Sequence, residues 1–329
     1  MSNLKFFERE RIEFYHRLKM KVGDIAQKIN RDHSVVSREL ARNLPPGQKY
    51  YDAKKAQKMA DRKAHKTNIC KLDKNEDLKI YVVGQLNKDW SPEEIAGRLK
   101  NDPPIHLRGK TVSHESIYFW IYEGNGHHLF RHLRRKNTPR RQKRNARKKR
   151  TKELINHRVS IHDRPEEINQ RLRFGDWESD TMIFKKQKSV LSVQHERKSL
   201  LVKLHKVMNK SASQTQEALT ASIESFPDGC FKSITFDNGL EGQCHSAIKE
   251  NYGIETYFCD PFKSWQKGGV ENSNGLIRQY LPRDANLDTI TEEEISKIES
   301  RLNNRPRKKL KYLTPAEFAK PEINKILVH

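Results

Sequence analysis

Three carboxylates in the C-terminal half of the 329-residue chain are placed where they could do chemistry together. Asp180 lies in the strand-like segment FGDWESDTMIF, Asp237 ends the run CFKSITF just before Asn238-Gly239, and Glu271 opens the helical segment VENSNGLIRQYL. Three acids converging from separate elements repel one another unless cations sit between them, and two divalent ions about 3.5–4 Å apart can be bridged by such a trio. One ion would activate a water or a 3′-hydroxyl, and the other would stabilise the leaving oxygen of a phosphodiester. Hard oxygen donors suit Mg2+, with Mn2+ as a substitute, and no His/Cys cluster suggests zinc. The pattern leaves the first acid open, because Asp176, Glu178 and Asp180 share one strand face if the strand begins early. Asp180 is nearest the centre of that strand. Near Glu271, the residues Lys267, Asn272, Asn274 and Arg278 are candidates for contacting and positioning DNA.

Positioning these acids requires a sheet. After the first strand, SVLSVQHERKSLLVKLHKV reads as two strands around a turn at 195–198, and SASQTQEALTASIESF as a helix. A strand ending at Asp237, a helix at 243–251, a strand at 254–258 and the Glu271 helix follow. Strands first, then alternating helix and strand, give an α/β layout in which adjacent central strands can bring Asp180 and Asp237 together.

The front of the chain reads as helical. Ile12, Phe14, Tyr15 and Leu18 recur at helical spacing, Val22, Ile25, Ala26 and Ile29 form a shorter stripe, and Asn30-Arg31-Asp32 is a compact turn before HSVVSRELARN. Three helices with a tight turn before the last make a helix-turn-helix unit. Ser34, Ser37, Arg38 and Arg42 then lie on or near the exposed side of the recognition helix. A second helical pair begins at Trp90, where Ser91, Pro92 and Glu94 form a capping box, and Ser113 can cap VSHESIYFWIY. This pair is either a second DNA module or a structural one.

Charge is distributed unevenly. Residues 1–150 hold 37 Lys and Arg against 17 Asp and Glu, whereas residues 151–329 hold 28 against 25. A polyanion engaged mainly by the front half is the expected partner. The basic peak, RHLRRKNTPRRQKRNARKKR at 131–150, has no acid and suits phosphate tracking through Arg134, Arg135, Arg140, Arg141, Lys143 and Arg144. With 33% charged residues and no apolar run of about 18, a polytopic membrane protein is excluded. The N-terminus lacks a signal-peptide pattern, so a cytoplasmic address is expected. Cys70, Cys230, Cys244 and Cys259 form no CxxC pair and are expected to be reduced thiols.

Several segments taken together resemble the IS30 family of bacterial insertion-sequence transposases. They are DIAQKINRDHSVVSRELARN, WSPEEIAGRL, VSHESIYFWIY, DRPEEINQRLRFGDWESD, ITFDNG, ENSNGLIRQYLP and LNNRPRKKLKYLTPAEF, in the family's order and over nearly the full chain. The resemblance implies an α/β RNase H-like catalytic core, a mixed five-stranded sheet with helices, preceded by all-α helix-turn-helix DNA-binding domains. It implies boundaries at 1–66 for the first such domain and its connector, 67–130 for the second, 131–160 for a basic linker and 161–329 for the core. It aligns Asp180, Asp237 and Glu271 with the family's catalytic and metal-binding DDE trio, the last two separated by 33 residues as expected. The chain departs from the usual Gly-His-Trp-Glu-Gly-Asp at Asp176 and Ser179, and follows its DNG with Leu240-Glu241.

The implied activity is Mg2+-dependent cleavage at terminal inverted repeats to free a 3′-OH, then strand transfer into target DNA with two Mg2+ per site. At least a dimer on paired ends and a bacterial, nucleoid-associated setting are expected, without a membrane. The alternative is a DNA-binding regulator or transposition inhibitor with a decayed nuclease core. An RNA-binding scaffold would need a GXXG clamp or an RRM aromatic pair, and neither is apparent.

Overall fold

The computed structural model describes residues 4–45, 47–68, 70–133, 158–209, 211–237, 239, 245–261 and 263–328. The chain divides into two units, residues 1–76 and 77–329.

The first unit contains α1 (Phe6–Arg17), α2 (Val22–Lys28), α3 (His33–Asn43) and α4 (Ala53–Asn68). Asn30, at φ 55°, turns the chain sharply after α2, and Asp32 starts α3 by accepting the Ser34 N–H at 2.8 Å. Ile12, Ile25, Ala26, Val36 and Leu40 form the shared core. A buried ion pair fastens α1 to α3: Arg9 Nε donates to Glu39 at 2.9 Å, and the Tyr51 hydroxyl donates to the same carboxylate at 2.8 Å. Phe14 and Leu18, which share the helical spacing of Ile12, are 61% and 60% exposed. Helical period defines a face, and a unit this small covers only part of it.

The second unit opens with α5 (Glu76–Asn87), α6 (Pro92–Asn101) and α7 (His114–Glu123), which bury Leu78, Val82, Leu86, Ile95, Leu99, Ile117, Trp120 and Ile121. The α6 capping box is present, with Ser91 and Glu94 each binding the other's backbone N–H. Glu93, Glu94 and Arg98 pair with Lys308, Arg305 and Glu317 at 2.5–2.8 Å. At Gly97 a Cβ would overlap the Tyr312 ring at 2.2 Å, so this face of α6 is closed against residues 305–317.

After α8 (Glu166–Asn169), the strands are β1 (Asp176–Ile183), β2 (Val190–Glu196), β3 (Val202–Val207), β4 (Ser233–Phe236) and β5 (Glu255–Phe258). They form one mixed five-stranded sheet in the order β3-β2-β1-β4-β5. β1, β2 and β3 are antiparallel neighbours, and β4 and β5 run parallel to β1. The turn after β2 falls at 197–201, beyond the 195–198 read from sequence. Glu196 remains in the strand and folds the turn around its carboxylate, accepting the Lys198 and Ser199 N–H groups at 3.0 and 2.5 Å.

Helices cover both faces. On one, Trp177, Ile234, Phe236 and Phe258 pack with Leu219 and Ile223 of α9 (Ala212–Glu224) and Ile248 of α10 (His245–Tyr252). On the other, Met182, Val193 and Leu204 pack with Val270, Leu276 and Ile277 of α11 (Gly268–Ile277) and Ile295 and Leu302 of α12 (Glu292–Asn303). The last helix, α13 (Pro315–Leu327), adds Ala319 to the first of these cores. Cys230 and Cys259 are buried and Cys70 is half-buried; Cys244 lies outside the described residues. No described helix is long and apolar enough to cross a membrane.

Candidate active site

Strand register brings the first two acids together. In the parallel β1–β4 ladder Asp176 faces Ser233, Trp177 faces Ile234 and Glu178 faces Thr235. The same count, carried two residues further, sets Asp180 beside Asp237. Asp237 follows β4 directly and its Oδ1 accepts the Gly239 N–H at 2.6 Å, the local contact that an aspartate side chain makes with the backbone two residues on. The Asp237 side chain is 44% exposed and that of Asp180 22%, so both carboxylates keep a path to solvent.

The third acid comes from α11. Lys267, Glu271, Asn274 and Arg278 are spaced by four, three and four residues, which lines them along one face of the helix. Lys267 Nζ donates to the Ser179 carbonyl at 2.7 Å and to Asp180 Oδ1 at 3.1 Å, and lies 3.9 Å from Asp237 Oδ2. Asn274 Nδ2 donates to Asp180 Oδ2 at 2.6 Å, while its buried Oδ1 has no partner among the described residues. Arg278 Nη2 donates to the Ile183 carbonyl at 2.8 Å with its guanidinium 4.5 Å from the Phe184 ring centre. Glu271 is exposed, one turn from both Lys267 and Asn274 on the face that meets β1. Thus Lys267, Asn274 and Arg278, expected at the DNA, direct donors into the protein, and only Asn272 of that group is exposed.

Asp180 and Asp237 face a common position that already holds a positive charge, and their hard oxygens fit a Mg2+ there. Among the described residues, no group of three His, Cys, Asp or Glu side chains is arranged to hold a metal ion. The other acids on the β1 face have different partners. Asp176 is fully buried, accepting from Arg173 Nε at 3.0 Å and Ser233 Oγ at 2.6 Å. Glu178, also fully buried, pairs with Arg197 and accepts the Val270 N–H of the first α11 turn at 2.9 Å. Sequence reasoning counted Glu178 only as a rival of Asp180, but its contact with Val270 fastens α11 to β1.

The seat of α11 depends on a missing side chain. A Cβ on Gly269 would lie 2.6 Å from His195 Cδ2 and 2.8 Å from Glu178 Oε2. His195 Nδ1 shares a hydrogen bond with Ser273 Oγ at 3.0 Å, and its buried Nε2 has no partner among the described residues. Burial lowers the His195 pKa to about 4. In the unfolded chain the ring titrates near 6.5, so between these values unfolding takes up a proton that the folded state excludes. Stability therefore falls as pH drops from about 6.5 to about 4, by up to about 3 kcal/mol from this group. The wild type should lose more unfolding free energy over that window than a His195→Gln variant, as measured by denaturant melts at each pH.

Comparison with known proteins bears on the whole chain. It is 37% identical over 326 residues to transposase InsI of the insertion sequence element IS30A of Escherichia coli K12, covering 97% of this chain and 83% of that protein. It is 36% identical to the transposase of IS4351 from Bacteroides fragilis, covering 96% and 95%, and 34% identical to that of IS1086 from Cupriavidus metallidurans, covering 94% and 92%. The chain belongs to the IS30 family of transposases. Residues 1–43 of this IS30-family chain match the model of a helix-turn-helix domain. Among solved structures, the catalytic core domain of BIV integrase is 22% identical with a TM-score of 0.36, covering 46% of this chain and 97% of that one.

This IS30-family transposase is thus a DNA-binding protein with an enzyme's role in DNA cleavage and transfer, built from a helix-turn-helix unit and a mixed five-stranded sheet with helices on both faces. On α3, Ser34, Ser37, Arg38 and Arg42 are exposed, and Arg38 is braced by its own helix, with Nη2 donating to Ser34 Oγ at 2.7 Å. In the second unit a cleft of about 780 Å3 runs beside α11, lined by Asn272, Arg307, Lys308, Lys309, Tyr118 and Tyr122. Arg134, Arg135, Arg140, Arg141, Lys143 and Arg144 lie outside the described residues.

Proposed function

We propose that this transposase binds the terminal inverted repeats of its own element, hydrolyses a phosphodiester to free a 3′-OH, and joins that hydroxyl to target DNA. The observation that carries the reading is that Asp180 of β1 and Asp237 just beyond β4 both approach one ammonium, Lys267 Nζ, at 3.1 and 3.9 Å. Asp180, Asp237 and Glu271 would hold two Mg2+, or Mn2+ in their place. When bound, these ions supply activation of the attacking oxygen and stabilisation of the leaving one. The protein's own groups do the positioning: Asn274 orients Asp180, Gly239 orients Asp237, and Glu178 with Gly269 sets the height of α11 on the sheet.

End recognition is assigned to α3, with the 131–150 segment tracking phosphates. The cleft beside α11 offers Lys308, Lys309 and Arg307 to the same backbone, and Asn272 stands at its edge. One chain has one such centre, so coordinated cutting of two ends requires at least two chains on paired DNA. The cytoplasm and nucleoid of a bacterium are the corresponding setting. On this reading the end-binding domain and its connector span 1–66, the second helical domain 67–130, the basic linker 131–160 and the catalytic core 161–329.

The test is incubation of purified protein with labelled inverted-repeat duplex and Mg2+, with nicking at the element end and joined products expected. Folded protein that binds the ends and neither cuts nor joins them would overturn the reading. Arg38→Ala is expected to reduce the preference for end DNA over random DNA by about 1–3 kcal/mol, through a lost base contact. Competition binding over a salt series checks it. An equal loss on both duplexes, with the salt slope lower by about 1, would reassign Arg38 to phosphate.

A further inference from the structure

We propose that Lys267 is a resident cation of the active site, holding Asp180 and Asp237 together in the metal-free protein and competing with the divalent ion for their oxygens. The inference rests on the metal-dependent reading above and adds a role that the carboxylate trio does not contain.

The geometry is specific. Lys267 caps the start of α11, four residues before Glu271, and its side chain is only 6% exposed. An ammonium normally stays in water, and burial of one requires acceptors in compensation. Here those acceptors are the Ser179 carbonyl at 2.7 Å, Asp180 Oδ1 at 3.1 Å and, at a longer 3.9 Å, Asp237 Oδ2. Asp180 and Asp237 are both carboxylates of the proposed trio. The ammonium therefore stands at the position toward which both aspartates point.

Charge accounts for the consequence. Asp180 and Asp237 adjoin in parallel register, and without a counter-ion the two carboxylates would repel each other in a partly enclosed site. Lys267 neutralises one of the two charges and so keeps the pair assembled before any metal arrives. A divalent ion entering between them meets the buried cation already there. Binding then requires the ammonium to withdraw, and the released side chain is available to a DNA phosphate. The occupied lysine makes the free protein a weaker metal binder than its carboxylates alone would be.

The test measures Mn2+ binding to the full chain without DNA, by electron paramagnetic resonance of the free ion and by calorimetry. Lys267→Met keeps the aliphatic length and removes the charge, and it should bind Mn2+ at least tenfold more tightly than wild type. Lys267→Arg keeps the charge and should remain within a few fold of wild type. Asp180→Asn should weaken binding in either background. Equal or weaker Mn2+ affinity in Lys267→Met, with Asp180→Asn still weakening it, would overturn the lysine's role and leave the metal assignment standing. Binding insensitive to Asp180→Asn would overturn both. If Lys267→Met fails to fold, Mg2+ titration of the wild type decides by NMR. The ε-methylene resonance of Lys267, identified by its absence in Lys267→Arg, should move as the site fills, and a resonance unmoved at saturation would refute displacement.

Discussion

Asp237→Asn is expected to lower cleavage of inverted-repeat DNA at least about a thousandfold while leaving the fold and end binding intact. The substitution removes one negative charge from a group proposed to hold the ions, and metal-assisted stabilisation of transition-state charge is worth several kcal/mol, or about three decades of rate. Its structural cost is small. Asp237 lies beyond the last residue of β4, is 44% exposed, and accepts the Gly239 N–H in a hydrogen bond that an amide oxygen can also accept. Quantified nicking and joining beside a thermal melt and an end-binding isotherm separate the effects. Cleavage at the wild-type rate would remove Asp237 from the centre.

Gly269→Ala is expected to cost about a hundredfold in the same assay, although residue 269 would touch neither metal nor DNA. The new methyl group would lie within 3 Å of the His195 ring and the Glu178 carboxylate, both buried and held by further partners. His195 borders the cleft beside α11 but is tied to Ser273, and Glu178 is tied to Arg197, so α11 is expected to lift from the sheet. Glu271, two residues along, moves with it, and a misplacement of about 1 Å at a reacting centre can cost about two decades. End binding by α3 should be unaffected. A fully active Gly269→Ala protein would show that the helix reseats without loss, and that the contact with His195 does not set Glu271's position.

Much of this arrangement is legible in the sequence because it is local. The capping box at Ser91, the Asn-Gly turn after Asp237, and the change from alternating to helical spacing around Glu271 each involve residues a few positions apart. What was not legible depends on distant partners. Asp176, Glu178 and Asp180 are equivalent under strand alternation, and what distinguishes them is Arg173, Ser233 and Arg197, which neutralise the first two in the interior. Lys267 and Arg278 look like DNA contacts in a basic chain. Their orientation depends on a carbonyl or carboxylate on β1, some 90 residues earlier. The pairs joining Glu93, Glu94 and Arg98 to residues 305–317 span more than 200 positions and have no short-range signature. Phe14 and Leu18 fit the helical period and are nonetheless exposed, because period does not reveal how much of a face has a neighbour.

The β1–β4 register also limits how the chain can vary in length. Asp180 and Asp237 meet because equal numbers of residues separate them from Asp176 and Ser233 on neighbouring parallel strands. Removing one residue from 177–179 or from 234–236 would turn an aspartate to the opposite sheet face, against the Trp177 core. The turns at 184–189 and 225–232 lie outside that count, and lengthening them adds only the slowly growing entropy of a longer loop. Natural gaps and engineered insertions should therefore collect in those turns, while two short stretches of strand tolerate no change of number.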